Sequence, residues 1–306
     1  MYGSPWAKSI GFGAPWGNRV ECPPDLGGNV GTERILIVNG DDFGLSHEVN
    51  EGIERAHQDG VLTSTSLMVN APAFEDAVAR AQRLPHLGVG LHLALVETPP
   101  TLPASEWDGA LEPDGRFPFN PAKAGLRYWF RRGLRDTIGR EVRAKLDRFR
   151  STGLPCTHID GHMNLQVHPV VREAVLAVAK ESGVRWVRAP WDDLGLTLRI
   201  DASGLPLKVL HAAFFRPLSA RVRRRAAEVG VRTCDGVHGV YQSGRIDARF
   251  LCELLARLGP GVRELYTHPR MNASGPNADL AALSSPSVRE AVDRAGFRLA
   301  HFGEVA

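Results

Sequence analysis

From residue 33 onward, short apolar runs alternate with amphipathic stretches. Runs at 35–39, 65–69, 89–95, 157–160, 186–188, 233–237, 264–267 and 298–302 read as strands, because each is short, apolar and bounded by turn formers. Helical patterns lie between many of them. Ser46 can cap the first helix, Val49, Ile53 and Ala56 mark one face of it, and Gly60 stops it. Another begins at Pro169, a favoured first helical position, and ends before Gly183. Strands alternating with helices predict a mainly parallel sheet, and about seven or eight strands predict an α/β barrel.

Residues 98–123 interrupt this rhythm with Pro99, Pro100, Pro103, Pro113, Pro118 and Pro121. Such a stretch is a surface excursion that either covers a site or wraps the fold. The helix after it places Leu134, Ile138, Val142, Leu146 and Phe149 on one face, with Arg131, Arg132, Arg135, Arg140, Arg143 and Arg148 opposite. A second basic run is Arg221, Arg223, Arg224 and Arg225. Both read as solvated faces, with peripheral contact to an anionic membrane surface or an acidic partner as the alternative.

Residues 1–32, rich in Gly and Pro with Trp6 and Trp16 isolated among them, read as a flexible leader, and 33–306 as a single domain. A chain of 306 residues, 43% hydrophobic, can bury a large core. The net charge of +3 is too small to imply nucleic acid. Cys22, Cys156, Cys234 and Cys252 form no CxxC pair, which argues against a thiolate zinc site or a disulfide framework and for a reducing compartment. There is no secretory signal pattern and no apolar run near the roughly 20 residues of a membrane span. The expected location is cytoplasmic, with peripheral attachment at the inner membrane face as a variant.

Chemistry concentrates at the strand ends. Asp41 and Asp42 close the run Ile35-Leu-Ile-Val-Asn-Gly-Asp-Asp42. Two adjacent carboxylates repel each other, so their retention suggests a cation on one and proton transfer on the other. Ser46 already serves the following helix, which weakens a purely capping role for the pair. His92 interrupts an apolar run, and His158 and His162 bracket the end of another. Asp160 and Gly161 between those two oppose a shared helix face, so only one of them should bind metal. Arg188 and His268 close two further runs. In a barrel, residues so placed converge on one face. One carboxylate with two imidazoles suits zinc or another divalent ion and leaves room for water. The remaining carboxylate could then act as base, and a histidine opposite as acid. His47, His57, His86, His211, His238 and His301 read as structural or exposed, and His168 as a helix-start residue.

The stretches Val38-Asn-Gly-Asp-Asp-Phe-Gly-Leu-Ser46, Gly60-Val-Leu-Thr-Ser-Thr-Ser66, Gly90-Leu-His-Leu93, Thr157-His-Ile-Asp-Gly-His162 and Tyr266-Thr-His-Pro269 together resemble the YdjC-type carbohydrate deacetylases. The resemblance implies a distorted (β/α) TIM-like barrel, a divalent metal ion and removal of N-acetyl groups from amino sugars. It assigns Asp42, His92 and His162 as metal ligands, Asp41 as general base and His268 as general acid. Arg188 resembles the arginine that orients the base. Water activated by the metal would attack the acetamide carbonyl; zinc is the first expectation, with magnesium, nickel or cobalt as alternatives.

Sugar-oligomer members often carry further histidines after the last ligand, where this chain has Met163-Asn-Leu-Gln166. Residues 239–245 look closer to the hopanoid-associated branch, which implies a glycolipid substrate. A homodimer would be in keeping with the family. Alternatives are chitooligosaccharide deacetylation, another metal-dependent amidohydrolase or phosphoesterase, and a silent binding protein on the same scaffold.

Overall fold

The computed structural model describes residues 33–305. The expected leader at 1–32 lies outside the described residues. The elements are β1 (Arg34–Phe43), α1 (His47–Gln58), β2 (Ser64–Leu67), α2 (Phe74–Ala81), β3 (Gly88–Leu93), α3 (Pro121–Phe130), α4 (Leu134–Arg150), β4 (Cys156–Gly161), α5 (Pro169–Ser182), α6 (Leu194–Ile200) and α7 (Leu205–Val229). They continue with β5 (Gly236–His238), α8 (Ala248–Leu255), β6 (Gly261–Thr267), the small hairpin β7 (Met271–Asn272) and β8 (Gly275–Pro276), α9 (Ala278–Leu283), α10 (Pro286–Arg294) and β9 (Arg298–Leu299).

The main sheet runs β4-β3-β2-β1-β6-β5, with β9 added on β1, and every pairing in it is parallel. Ile35, Leu36, Ile37 and Val38 are all buried, the continuous apolar run expected of a parallel strand covered on both faces. The barrel is distorted at one seam. Between β4 and β5 the expected strand at 186–188 is reduced to single bridges, Ile159 with Val187 and Trp186 with Arg232. Pro190 limits its extension, because it lacks a donor and biases the residue before it.

Local chemistry explains the helices. The Ser46 hydroxyl accepts from Val49 N at 3.3 Å and caps α1, a contact worth about 1 kcal/mol. Pro169 opens α5, and Gly183, at φ 73°, closes it. Residues 98–123 prove to be a wrap. Trp107 and Phe117 are fully buried and meet edge to face, while the Thr101 and Leu102 amides donate to Glu141 at 2.6 and 2.9 Å. Glu141 in turn pairs with buried Lys145 at 3.2 Å.

The basic faces of α4 and α7 are partly ion-paired. Arg140 meets Glu106, Arg143 meets Glu181, and Arg225 meets Glu173 and Glu228. Cys156 and Cys234 are free thiols. No described helix is long and apolar enough to cross a membrane.

Gly90 on β3 sits against the His158 ring, and a Cβ there would lie 2.3 Å from ring atoms. Gly90→Ala should therefore lower unfolding free energy by about 1–3 kcal/mol through overpacking. Gly139, inside α4 with nothing within 4 Å of its added Cβ, should instead gain about 0.5–1 kcal/mol as alanine. Urea unfolding of the two variants checks both signs.

Candidate metal centre

The two adjacent aspartates reach the mouth of the barrel through a break in regular pairing. The β1–β2 register shifts between Gly40 and Phe43, and Asp42 takes a left-handed backbone, φ 69°. A bulge of this kind re-aims side chains. Asp41 is buried and Asp42 is partly open.

Asp42 Oδ1 lies 2.8 Å from His162 Nδ1 and 3.2 Å from His92 Nε2. Each of these three residues offers a ligand atom within 4.8 Å of the others'. The far nitrogen of each ring faces another carboxylate: His92 Nδ1 meets Asp160 Oδ1 at 2.7 Å, and His162 Nε2 meets Glu97 Oε2 at 3.4 Å. Carboxylates on the outer nitrogens of ligating histidines fix ring orientation and tautomer in metal sites.

The electrostatics favour positive charge at this point. Burial pushes His92 down, but Asp160 and Asp42 outweigh it and raise the imidazole to about 10. Burial likewise opposes protonation of His162, yet Asp42 and Glu97 raise it to about 9. Desolvation would raise Asp42, but the two histidines hold its carboxyl well below the usual range. A divalent cation can take the place of those two protons, so the donor set fits a metal. A second grouping of Asp41, His92 and Asp160 also has ligand spacing, but Arg188 already occupies both of its carboxylates.

Beneath the site, one buried guanidinium serves three acids. Arg188 Nη1 and Nη2 donate to the two Asp41 oxygens at 2.6 and 2.8 Å. Nη2 also lies 2.8 Å from Asp160 Oδ2, and Nε donates to Glu264 Oε1 at 2.7 Å. Asn39 Nδ2 donates to Asp41 Oδ1 and to Ser66 Oγ, both at 2.8 Å, and Ser66 donates onward to Asp160 at 2.6 Å.

His268 follows Thr267, whose register partner is Gly40, so it flanks the aspartate pair across β1 and β6. Its Nδ1 lies 3.4 Å from Ser243 Oγ, and its backbone N–H donates to Asp279 at 2.9 Å. His158 belongs to neither grouping. It is fully buried, stacks on Phe302 and lies 3.1 Å from Ser66 Oγ, and burial pushes its imidazole down to about 3.

The sequence profile of the YdjC-like protein family matches residues 35–294. The chain belongs to the YdjC-like family. A carbohydrate deacetylase of Brevibacillus brevis is 43% identical over 156 residues, 51% of this chain and 59% of that relative. The YdjC-like chain thus matches less than two thirds of that relative's length. A chitooligosaccharide deacetylase of Salmonella paratyphi B is 28% identical over 285 residues, 89% of this chain and 100% of that protein. A crystal structure from Enterococcus faecalis V583, described as a candidate cellobiose-phosphate cleavage protein, superposes with a TM-score of 0.64 at 23% identity. That likeness covers 90% of this chain and 100% of the other, and it concerns the fold.

Three residues of this YdjC-like site escape a reading of strand ends alone. Asp160 lies between the two histidines of its motif, where it reads as a turn-former. Glu264 opens a short apolar run and resembles a strand edge. Glu97 sits in the proline-rich approach, and its left-handed backbone, φ 63°, has no sequence signal.

Removing the shared cation tests the network. Arg188→Met would leave Asp41, Asp160 and Glu264 buried without their partner, a loss of about 3–5 kcal/mol in chemical denaturation. A loss below about 1 kcal/mol would show that the three acids do not depend on it.

Proposed function

We propose that this protein is a metal-dependent hydrolase that removes an N-acetyl group from an amino sugar. The observation that carries this reading is the Asp42–His92–His162 donor set beside an Arg188-held Asp41, in a chain belonging to the YdjC-like family. Carbohydrate and chitooligosaccharide deacetylases among the relatives support the substrate class. Asp42, His92 and His162 would hold the ion, zinc first by donor chemistry. When bound, a divalent cation there would lower the pKa of a water and polarise the acetamide carbonyl.

The protein's own groups supply the proton transfers. Asp41 Oδ1 accepts from both Arg188 and Asn39, whereas Oδ2 accepts from Arg188 alone among the described residues. Oδ2 keeps a lone pair for the attacking water's proton. Arg188 fixes that carboxylate's plane. His268 delivers a proton to the amine nitrogen as the C–N bond breaks, and acetate departs. Glu97 and Asp160 orient the two imidazoles.

A phosphoesterase would need free cations for its substrate. Arg188, the arginine that the strand ends provide, is spent on three carboxylates. A silent binding protein has no use for an intact Asp41 and His268. Among acetylated substrates, a lipid-linked N-acetylglucosaminyl group is favoured by residues 239–245, which resemble the hopanoid-associated branch. In the fold, that stretch places Ser243 against His268.

Zinc-loaded protein should release acetate from N-acetylglucosaminyl substrates, with the lipid-linked form turned over faster than soluble chitooligosaccharides. Asp41→Asn should keep its metal and lower kcat at least about 100-fold. No acetate from either substrate, at confirmed metal content, would reject the deacetylase reading.

A separate measurement addresses Glu97. Glu97→Ala should weaken zinc binding about 10-fold or more in competition with a chromophoric chelator. Unchanged affinity would remove Glu97 from the support of His162.

A further inference from the structure

Among the described residues, the exposed large apolar side chains fall in two segments. Phe119, Leu126, Trp129 and Phe130 belong to α3 and its approach, and the others lie within residues 205–214 of α7, led by Leu210 and Phe214. Phe130 is 73% exposed and Leu210 66%. Helical spacing puts Leu126, Trp129 and Phe130 on one face, and Leu207, Leu210 and Phe214 on another. Apolar clusters of this kind mark interaction surfaces rather than ordinary exterior.

Both segments border the mouth of the site. Trp129 packs edge-on to His168 at 6.2 Å between ring centroids, six residues beyond His162. His211 on α7 packs edge-on to Tyr241 at 5.6 Å, two residues before Ser243, which faces His268. Arg132 and Arg135, just past Phe130, and Arg199, just before α7, are exposed. Among the described residues no carboxylate pairs with any of these three, whereas Arg140, Arg143 and Arg225 all have acidic partners.

We propose that these two segments form a docking face for an anionic lipid bilayer, seating the mouth of the site against the membrane surface. A second copy of the chain is a poorer occupant, because a two-fold contact would lay this basic patch on an identical basic patch with no acid to match it. A bilayer takes Trp, Phe and Leu into the acyl boundary and sets arginines at its phosphates. The face takes in Arg132 and Arg135 at the start of the α4 stripe but not the ion-paired Arg140, Arg143 and Arg225 further along. It stands independently of the deacetylase chemistry.

The test is co-sedimentation of the full chain with vesicles of phosphatidylcholine, alone or mixed with phosphatidylglycerol. The protein should pellet with the mixed vesicles and release as salt rises. Phe130→Ser combined with Leu210→Ser should cut the bound fraction at least about fivefold, and Arg132→Glu with Arg135→Glu should abolish the preference for anionic lipid. Acetate release from a soluble amino sugar should be unchanged in all of these variants, which separates docking from folding and from catalysis. Failure of the wild type to pellet, or equal binding by the Phe130/Leu210 variant, would overturn the proposal. So would a dimer that this variant dissociates in the absence of any lipid binding. Vesicle binding without acetate release would leave docking standing and remove the deacetylase reading instead.

Discussion

The structure is organised around one guanidinium. Arg188 lies buried among Asp41, Asp160 and Glu264, and a single positive charge cannot neutralise three carboxylates in a place shielded from water. The imbalance is met from both sides. Below, burial with the nearby Asp160 and Asp41 raises Glu264 to about 7 against the pull of Arg188, so this acid yields first. Above, Asp160 draws positive charge onto His92, and Asp42 draws it onto His162. The demand for a cation at the mouth follows from the shortage of cations beneath it.

Much of this was legible in the sequence because polar residues stood where apolar ones were expected. Asp41, Asp42, His92, His162 and His268 each interrupt or close an apolar run, and a parallel barrel gathers such positions at one end. That only one of His158 and His162 should bind metal followed from Asp160-Gly161, which opposes a shared helix face, while the choice of His162 came from the family resemblance. In the structure His158 fills the space left by Gly90 and stacks on Phe302. Illegible were the relations that depend on strand order. Asp160 on β4 and Glu264 on β6 converge on Arg188 only because the sheet curls to bring both strands around the chain at 186–188, and no local pattern encodes that adjacency. Glu97 was hidden by a backbone conformation that any loop sequence can conceal.

Charge patterning was informative in an inverted way. The longest arginine stripes, on α4 and the second half of α7, look most like binding surfaces in sequence, yet several of their members are matched, by Glu106, Glu181 and Glu173 from other segments and by Glu228 on α7 itself. Arg132 and Arg135, which follow Phe130, have no carboxylate partner among the described residues. A helical projection shows which residues share a face, but it cannot show which acids a neighbouring element brings to meet them.

The seam between β4 and β5 has a consequence for how the barrel holds together. Elsewhere the strands are joined by runs of backbone bonds, but here the chain at 186–188 is attached by isolated bridges. The same three residues carry Arg188, whose side chain reaches acids on β1, β4 and β6. Side-chain charge therefore fastens the wall where backbone pairing is thinnest, like a clasp across an incomplete ring. Opening that seam and dismantling the base of the site would be a single event, so the chain cannot relax its weakest joint while keeping Asp41 in place.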